Sequence, residues 1–484
     1  MRLGTLLFVV CVFGRPAWAQ SDTSWTTRYA RDLDSLRAAI AANHPGAIDV
    51  QNPEFARTLA RAYEEAAALT PHIRDFASFH VGLTRFINQF QDAHLSVAFT
   101  RQVDSVREAG MIAEYRNERF FVADVHQRYA GSAWLVGAEI ISCDGMNVRD
   151  VFRNRVLWWR GRANVAADWH RQAPQLFIDY GPPTPPAPRS CIFAAGGRTI
   201  TQQLAWRSTP AAAINAVLQR AHAPVEQGLG TERVAPEKLW VRLPTFSANQ
   251  EPQLSAMRAT LDSLRAFLRS APAWRTIVLD LRGNSGGSSS WGDEIAGILF
   301  GEEWRKQATS YLFDGVYTEW RLSADNIRAM RGIQEQIARR TGVGSESERQ
   351  FRTFVDSAAA ELERGSSYSG TPQARAGLPA PAPVPVPGRI VVITTPSCFS
   401  ACLDFLDRLR LHPAVLQVGQ TTGVDTNYME VWGGPISGLT RLNYPLKVYR
   451  NRRRGNNEAY PPHVRYEGSF TDEPRLQEFV FNLK

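Results

Sequence analysis

Between residues 26 and 90 apolar side chains recur at three- and four-residue steps: Leu33, Leu36 and Ile40, then Leu59, Ala62, Tyr63 and Ala66, then Phe79, Leu83 and Phe86. That period predicts helices with one buried face. From about 108 to 208 the pattern shortens to strands broken by Gly and Asn turns, as in 119–125 and 137–145. Residues 211–222 read as a helical link. A strand at 239–243, a helix over 254–269 and the very apolar strands 276–281 and 389–394 then predict an α/β core around a buried sheet. A polar, Arg-rich helical stretch over roughly 320–364 interrupts that core, followed by the Pro-rich segment 379–388, which reads as a semi-rigid connector.

The N-terminal segment combines Arg2, an apolar run from Leu6 to Phe13 and the small-residue pattern Ala17-Trp18-Ala19 before Gln20. This is the layout of a secretory signal peptide spanning 1–19. No later stretch is long and apolar enough to predict a membrane span, so the mature protein is expected to be exported, to the periplasm or the medium. Removing the signal leaves Cys143, Cys191, Cys398 and Cys402. In an oxidising compartment these permit disulfides; Cys143 with Cys191 is the preferred pair, with buried free thiols as the alternative.

Composition narrows the classes without choosing among them. With 44% hydrophobic and 21% charged residues the chain is globular, not disordered. The net charge of +8 comes almost wholly from Arg, because Lys occurs only at Lys238, Lys306, Lys447 and Lys484. The one dense basic run, Arg450 with Arg452, Arg453 and Arg454, reads as a solvated loop and not as a nucleic-acid surface. No zinc-type spacing and no phosphate-loop Lys are present, so neither a metal nor another cofactor is expected.

Four segments carry candidate chemistry. Residues 279–287, Leu-Asp-Leu-Arg-Gly-Asn-Ser-Gly-Gly, end a strand in a Gly-rich turn whose N–H groups suit an anion or a developing oxyanion. Residues 394–405, Thr-Thr-Pro-Ser-Cys-Phe-Ser-Ala-Cys-Leu-Asp-Phe, place Ser397 and Ser400 where a strand meets a helix, either as a nucleophile or as a plain helix cap. In 90–97, Phe-Gln-Asp-Ala-His-Leu-Ser-Val, His94 lies between a helix and a strand. In 457–464, Asn-Glu-Ala-Tyr-Pro-Pro-His-Val, Glu458 lies in a polar turn.

The string Asp280-Leu-Arg-Gly-Asn-Ser-Gly-Gly followed by the Ser400-Ala401 element resembles the tail-specific, or C-terminal processing, serine protease superfamily. The similarity covers about 108–470. It implies a crotonase-like α/β core, an N-terminal helical region and a β-rich PDZ-like domain. The implied boundaries are 20–100 for the helices, 101–210 for the PDZ-like domain, and 211–484 for the core with an insertion at 302–388. In one branch of that superfamily a Lys about 25 residues after the nucleophile is the base; here Gly419-Gln-Thr-Thr-Gly-Val is followed by Asp425, and no Lys lies between Lys306 and Lys447. The other, tricorn-like branch uses a His from the N-terminal region and a downstream Glu, which match His94 and Glu458. Ala93 and His463 depart from that branch's pattern, standing where it has Ser and Asp.

The resemblance therefore implies Ser400 as nucleophile, His94 as base and Glu458 as orienting or polarising group. The oxyanion donors would be the N–H of Gly286 or Gly287 and of Ala401. Gly110, Met111 and Ile112 match, more weakly, the PDZ loop that holds a peptide's terminal carboxylate. The expected activity is that of an exported serine peptidase acting on peptides or unfolded protein tails. A non-proteolytic ligand- or peptide-binding protein on the same fold and a non-peptidase acyl hydrolase are the alternatives.

Overall fold

Three helices open the described chain: α1 (Trp25–Asn43), α2 (Pro53–Ala67) and α3 (Phe76–Asn88). The computed structural model describes residues 24–125, 133–222 and 228–483, and the segment read as a signal peptide, 1–19, lies outside them. The periodic apolar positions form the buried face, with Leu36, Ile40, Ala62, Phe79 and Phe86 fully enclosed. A capping box fixes the start of α3: Asp75 accepts the Ser78 N–H at 2.8 Å, and the Ser78 hydroxyl accepts the Asp75 N–H at 3.1 Å.

Beyond α3 the loop carrying His94 runs into the strand Ser96–Phe99, which pairs antiparallel with Thr440–Arg450 near the far end of the chain. Tyr428–Pro435, Tyr317–Arg321 and Tyr368–Ser369 complete that sheet. The stretch 302–388 thus supplies two sheet strands in addition to the helices Ala324–Thr341 and Glu346–Glu363. Segment 379–388 has neither helix nor strand. In the strand-rich part, Ile112–Arg116, Arg119–Asp124, Glu139–Cys143, Ser190–Ala195 and Arg198–Gln203 are antiparallel neighbours. Cys143 and Cys191 face each other across two of these strands and are disulfide-bonded.

The parallel core consists of β1 (Lys238–Arg242), β2 (Thr276–Asp280), β3 (Arg389–Thr394) and β4 (Val415–Gly419), adjacent in that order. Beyond their first residues β2 and β3 are wholly buried, as strands covered on both faces must be. On one face lie Gln253–Ser270, α4 (Ser289–Phe300) and α5 (Ala401–Leu409); on the other, Leu476 and Val480 of the helix Glu473–Phe481. Since α4 and α5 follow β2 and β3, their first turns converge at the carboxyl edge of the sheet. Parallel sheets form their crevices at that edge.

The signature string is what holds this edge. Asp280 and Arg282 are fully buried; Arg282 Nε donates to Asp280 Oδ1 at 2.9 Å and its Nη2 donates to Oδ2 at 2.5 Å. The Trp240 indole donates to the same carboxylate at 3.0 Å, while Arg282 reaches across to the Phe470 carbonyl at 2.7 Å and Glu473 at 2.8 Å. Asn284, also fully buried, donates to the Leu243 carbonyl at 2.8 Å. These residues build the turn and do not face solvent. Replacing Asp280 by Ala would leave the indole N–H without its acceptor and the buried guanidinium with only the Phe470 carbonyl and Glu473, and should cost about 3–5 kcal/mol of stability. The check is the denaturant midpoint at unchanged slope. A loss below about 1 kcal/mol, the range of an exposed pair, would show that the string is not structural.

Candidate active site

The turn joining β3 to α5 ends at Ser400, whose backbone has φ 55° and ψ −124°. An L-residue held there stores roughly 1–3 kcal/mol, which the surroundings must enforce. The Ser400 hydroxyl makes no capping bond to α5, and that of Ser397 pairs with Thr395 at 2.9 Å. Neither serine is a plain cap, and Ser400 is left with a free hydroxyl at a helix N-terminus. A second disulfide, Cys398–Cys402, brackets the turn, with both cysteines fully buried.

The Gly-rich turn after β2 meets this elbow backbone to backbone. A Cβ on Gly286 would lie 2.7 Å from the Phe399 carbonyl oxygen and 2.9 Å from Ser400 Cβ. One on Gly287 would lie 2.1 Å from the Phe246 carbonyl carbon. Both glycines have positive φ, 98° and 135°. The Gly286 N–H is engaged by Asn284 Oδ1 at 2.9 Å, so it is not available to an oxyanion. Of the two glycine amides considered from the sequence, that leaves Gly287. Neither its N–H nor that of Ala401 has an acceptor among the described residues.

His94 comes from the opposite end of the chain and packs its ring on Phe399, the neighbour of Ser400, with centroids 4.8 Å apart. Its N–H donates to Asp92 Oδ1 at 2.9 Å, which also accepts the Thr426 hydroxyl at 2.9 Å. Asp92 Oδ2 faces His44 Nε2 at 3.2 Å. Because His44 Nδ1 accepts the Gly46 N–H at 2.9 Å, the neutral ring carries its proton on Nε2 and donates it to Asp92. Burial holds His44 below the ordinary imidazole range and keeps it neutral. Asp92 and His44 thus fix the His94 loop without facing the site.

His94, Gly287, Ser400 and Glu458 line one cavity of about 560 Å³. Glu458 is exposed on its wall, with Oε2 accepting the Gly455 N–H at 2.6 Å, and makes no hydrogen bond to His94. His463 lies away from it, accepting the Gln417 N–H on Nδ1 at 3.0 Å. The basic run is not a solvated loop. Arg450 pairs with Asp49 and Glu319, Arg452 with Asp404 and Asp425, and Arg454 with Asp404, Asp407 and Asp425. The run turns inward because acids from four separate segments neutralise it. Burial pushes the carboxyls of Asp407 and Asp425 up to about 6, against the pull of Arg454.

Residues 239–461 match the family model described as Peptidase family S41. This segment is a peptidase family S41 domain. It is the domain of a serine-type peptidase, and it contains Ser400, Gly287, Asp425 and Glu458, whereas His94 lies outside it. Mature CPAF complexed with lactacystin has a similar fold, with a TM-score of 0.61 and 14% identity over 94% of this chain and 97% of that one. Mature CPAF solved separately gives 0.59, also at 14% identity, over 94% and 96%. No curated protein sequence matches the chain.

The loop expected to hold a substrate carboxylate does not belong to the S41 domain's cavity. Gly110, Met111 and Ile112 are buried, and the Gly110 N–H is already taken by the carboxylate of Glu108, itself 1% exposed. A second anion there would meet a filled site and a like charge. Glu108, Asp92 and Asp425 escaped the sequence reading because nothing in spacing shows which way a single carboxylate turns. The two disulfides give a graded expectation, since they close loops of sequence separation 4 and 48. Alanine replacement of Cys398 and Cys402 should cost about 2 kcal/mol, and of Cys143 and Cys191 about 4 kcal/mol, by loop-closure entropy. Denaturant midpoints under non-reducing conditions test the order, and its reversal would mean that the elbow bridge holds native strain in place.

Proposed function

We propose that the protein is an exported serine peptidase that cleaves peptides and unfolded protein segments, C-terminal tails included, through an acyl-enzyme on Ser400. The observation that carries this reading is the strained backbone of Ser400, with its hydroxyl free, in one cavity with His94 and the unpartnered Gly287 N–H. Ser400 Oγ attacks the scissile carbonyl carbon as the His94 imidazole accepts the hydroxyl proton. The tetrahedral oxyanion is held by the N–H groups of Gly287 and Ala401, aided by the N-terminus of α5. The imidazolium returns the proton to the departing amine, leaving an ester on Ser400. Water then attacks the ester, again losing its proton to His94, and the carboxylic product leaves with Ser400 restored. Glu458 acts from the cavity wall as the polarising carboxylate.

Export is supported by the pairing of all four cysteines outside the leader into two disulfides. The parallel sheet flanked by helices supports a crotonase-like core, and the antiparallel strands between 112 and 203 support a PDZ-like module ahead of it. N-terminal sequencing of the exported protein should begin at Gln20; a retained Met1 would remove the leader from this account.

A fluorophosphonate should label the wild type once, at Ser400. Ser400→Ala should abolish labelling, and unchanged labelling would overturn the assignment of the nucleophile. His94→Ala should slow it by several orders of magnitude with folding intact. Protonating the base removes its lone pair, so the labelling rate should fall as the pH is lowered; a rate that is flat on the acid side would exclude an imidazole base.

A further inference from the structure

We infer that Asp425 is a positioning residue for His94: its buried carboxylate serves the Nδ1 side of the imidazole and steadies the imidazolium formed when Ser400 attacks. The inference rests on the reading of His94 as the base. Among the described residues, buried His94 Nδ1 has no hydrogen-bond partner, and neither has Oδ2 of Asp425. An unpartnered buried polar atom is costly and uncommon, and here a donor site and an acceptor of opposite character stand in adjoining loops.

The loops are laced together. The Thr426 hydroxyl donates to Asp92 Oδ1, the same oxygen that takes the His94 N–H. The Asn457 N–H donates to the Asp425 carbonyl at 2.8 Å, and the Asn457 amide donates to the Gln91 carbonyl at 3.0 Å. Segments 91–94, 425–426 and 457–458 are therefore tied to one another by hydrogen bonds. Asp425 is fully buried, with Oδ1 held by Arg454 and, at 3.1 Å, by Arg452. Those two guanidiniums orient the carboxylate and leave Oδ2 as its free face.

The other carboxylates are committed elsewhere. Both oxygens of Asp92 are occupied, by His44, Thr426 and the His94 backbone. Glu458 is exposed and turned to Gly455. The charged groups facing the His94–Asp425 pair are Asp92 from its own loop, Arg452 and Arg454 from the basic run, Asp404 from α5 and Glu458 from the cavity wall. Burial first, and then Asp404, push the Asp425 carboxyl up to about 6, while Arg454 and His94 pull it down, so it is ionised above neutrality.

The test compares fluorophosphonate labelling rates against pH for wild type, Asp425→Asn, Asp425→Ala and Glu458→Gln, with melting curves as a folding control. Asp425→Asn should label about 100- to 10,000-fold more slowly at pH 7.5. Its acid limb should move to lower pH, because a carboxylate favours the imidazolium and its loss lets the ring shed its proton sooner. A purely structural role would not move that limb. Labelling of Asp425→Asn within threefold of wild type, with the limb unmoved, would overturn the proposal while leaving His94 as base. If instead His94→Ala labels like wild type, the reading of the site itself has failed. Should the Asp425 variants not fold, nitrogen spectra of the labelled histidines in the wild type decide, with His94 assigned from His94→Gln. A neutral ring protonated on Nδ1 supports the proposal, and one protonated on Nε2 overturns it.

Discussion

Along the cavity wall, three carboxylates and two guanidiniums pack together, Asp425 and Arg454 buried and Asp404 31% exposed, and the site is only as ordered as their mutual neutralisation. Asp404 and Asp407 stand four and seven residues after Ser400, so both project from one face of α5. Asp425 arrives from the loop after β4, and Arg452 and Arg454 from the loop that leads to Glu458. The Tyr460 hydroxyl closes the cluster by donating to Asp407. Removing water from such charges is expensive, and the attraction repays it only while every partner is in place. The Asp425 loop and the 452–454 loop are thereby tied to α5, which begins just after Ser400.

A second constraint is steric. The turns after β2 and β3 touch backbone to backbone, which is possible because Gly286 and Gly287 offer no Cβ to Phe399 and Phe246. The contact brings Gly287 and Ser400 to the same cavity, and the Asp280–Arg282–Asn284 set underneath keeps the turn from relaxing. Asn284 also occupies the Gly286 N–H, so the turn presents one donor and not two. A string that looks catalytic in the sequence is largely the scaffold of catalysis.

The periodic apolar residues of 26–90 and the apolar strands of 276–281 and 389–394 were readable because burial imposes their spacing directly. Ser400, His94 and Glu458 were singled out through motif resemblance, with the turn chemistry of a strand-to-helix junction behind the first, and the fold brings all three to one cavity. The basic run was misread for a physical reason: charge density along a chain says nothing about acids that approach from hundreds of residues away, such as Asp49 against Arg450. The loop at Gly110 failed likewise, since its glycine pattern is that of an anion site but the anion is internal, Glu108. Asp425 was passed over as the place where a lysine was sought and not found.

The strand that follows His94 finds its partner almost at the other end of the polypeptide: Ser96 accepts a hydrogen bond from Asn443, 347 residues away. The loop that carries His94 is therefore held in place by residues 440–443, far along the chain. Holding the His94 loop thus depends on a contact whose loop-closure entropy the packing of the intervening chain must offset.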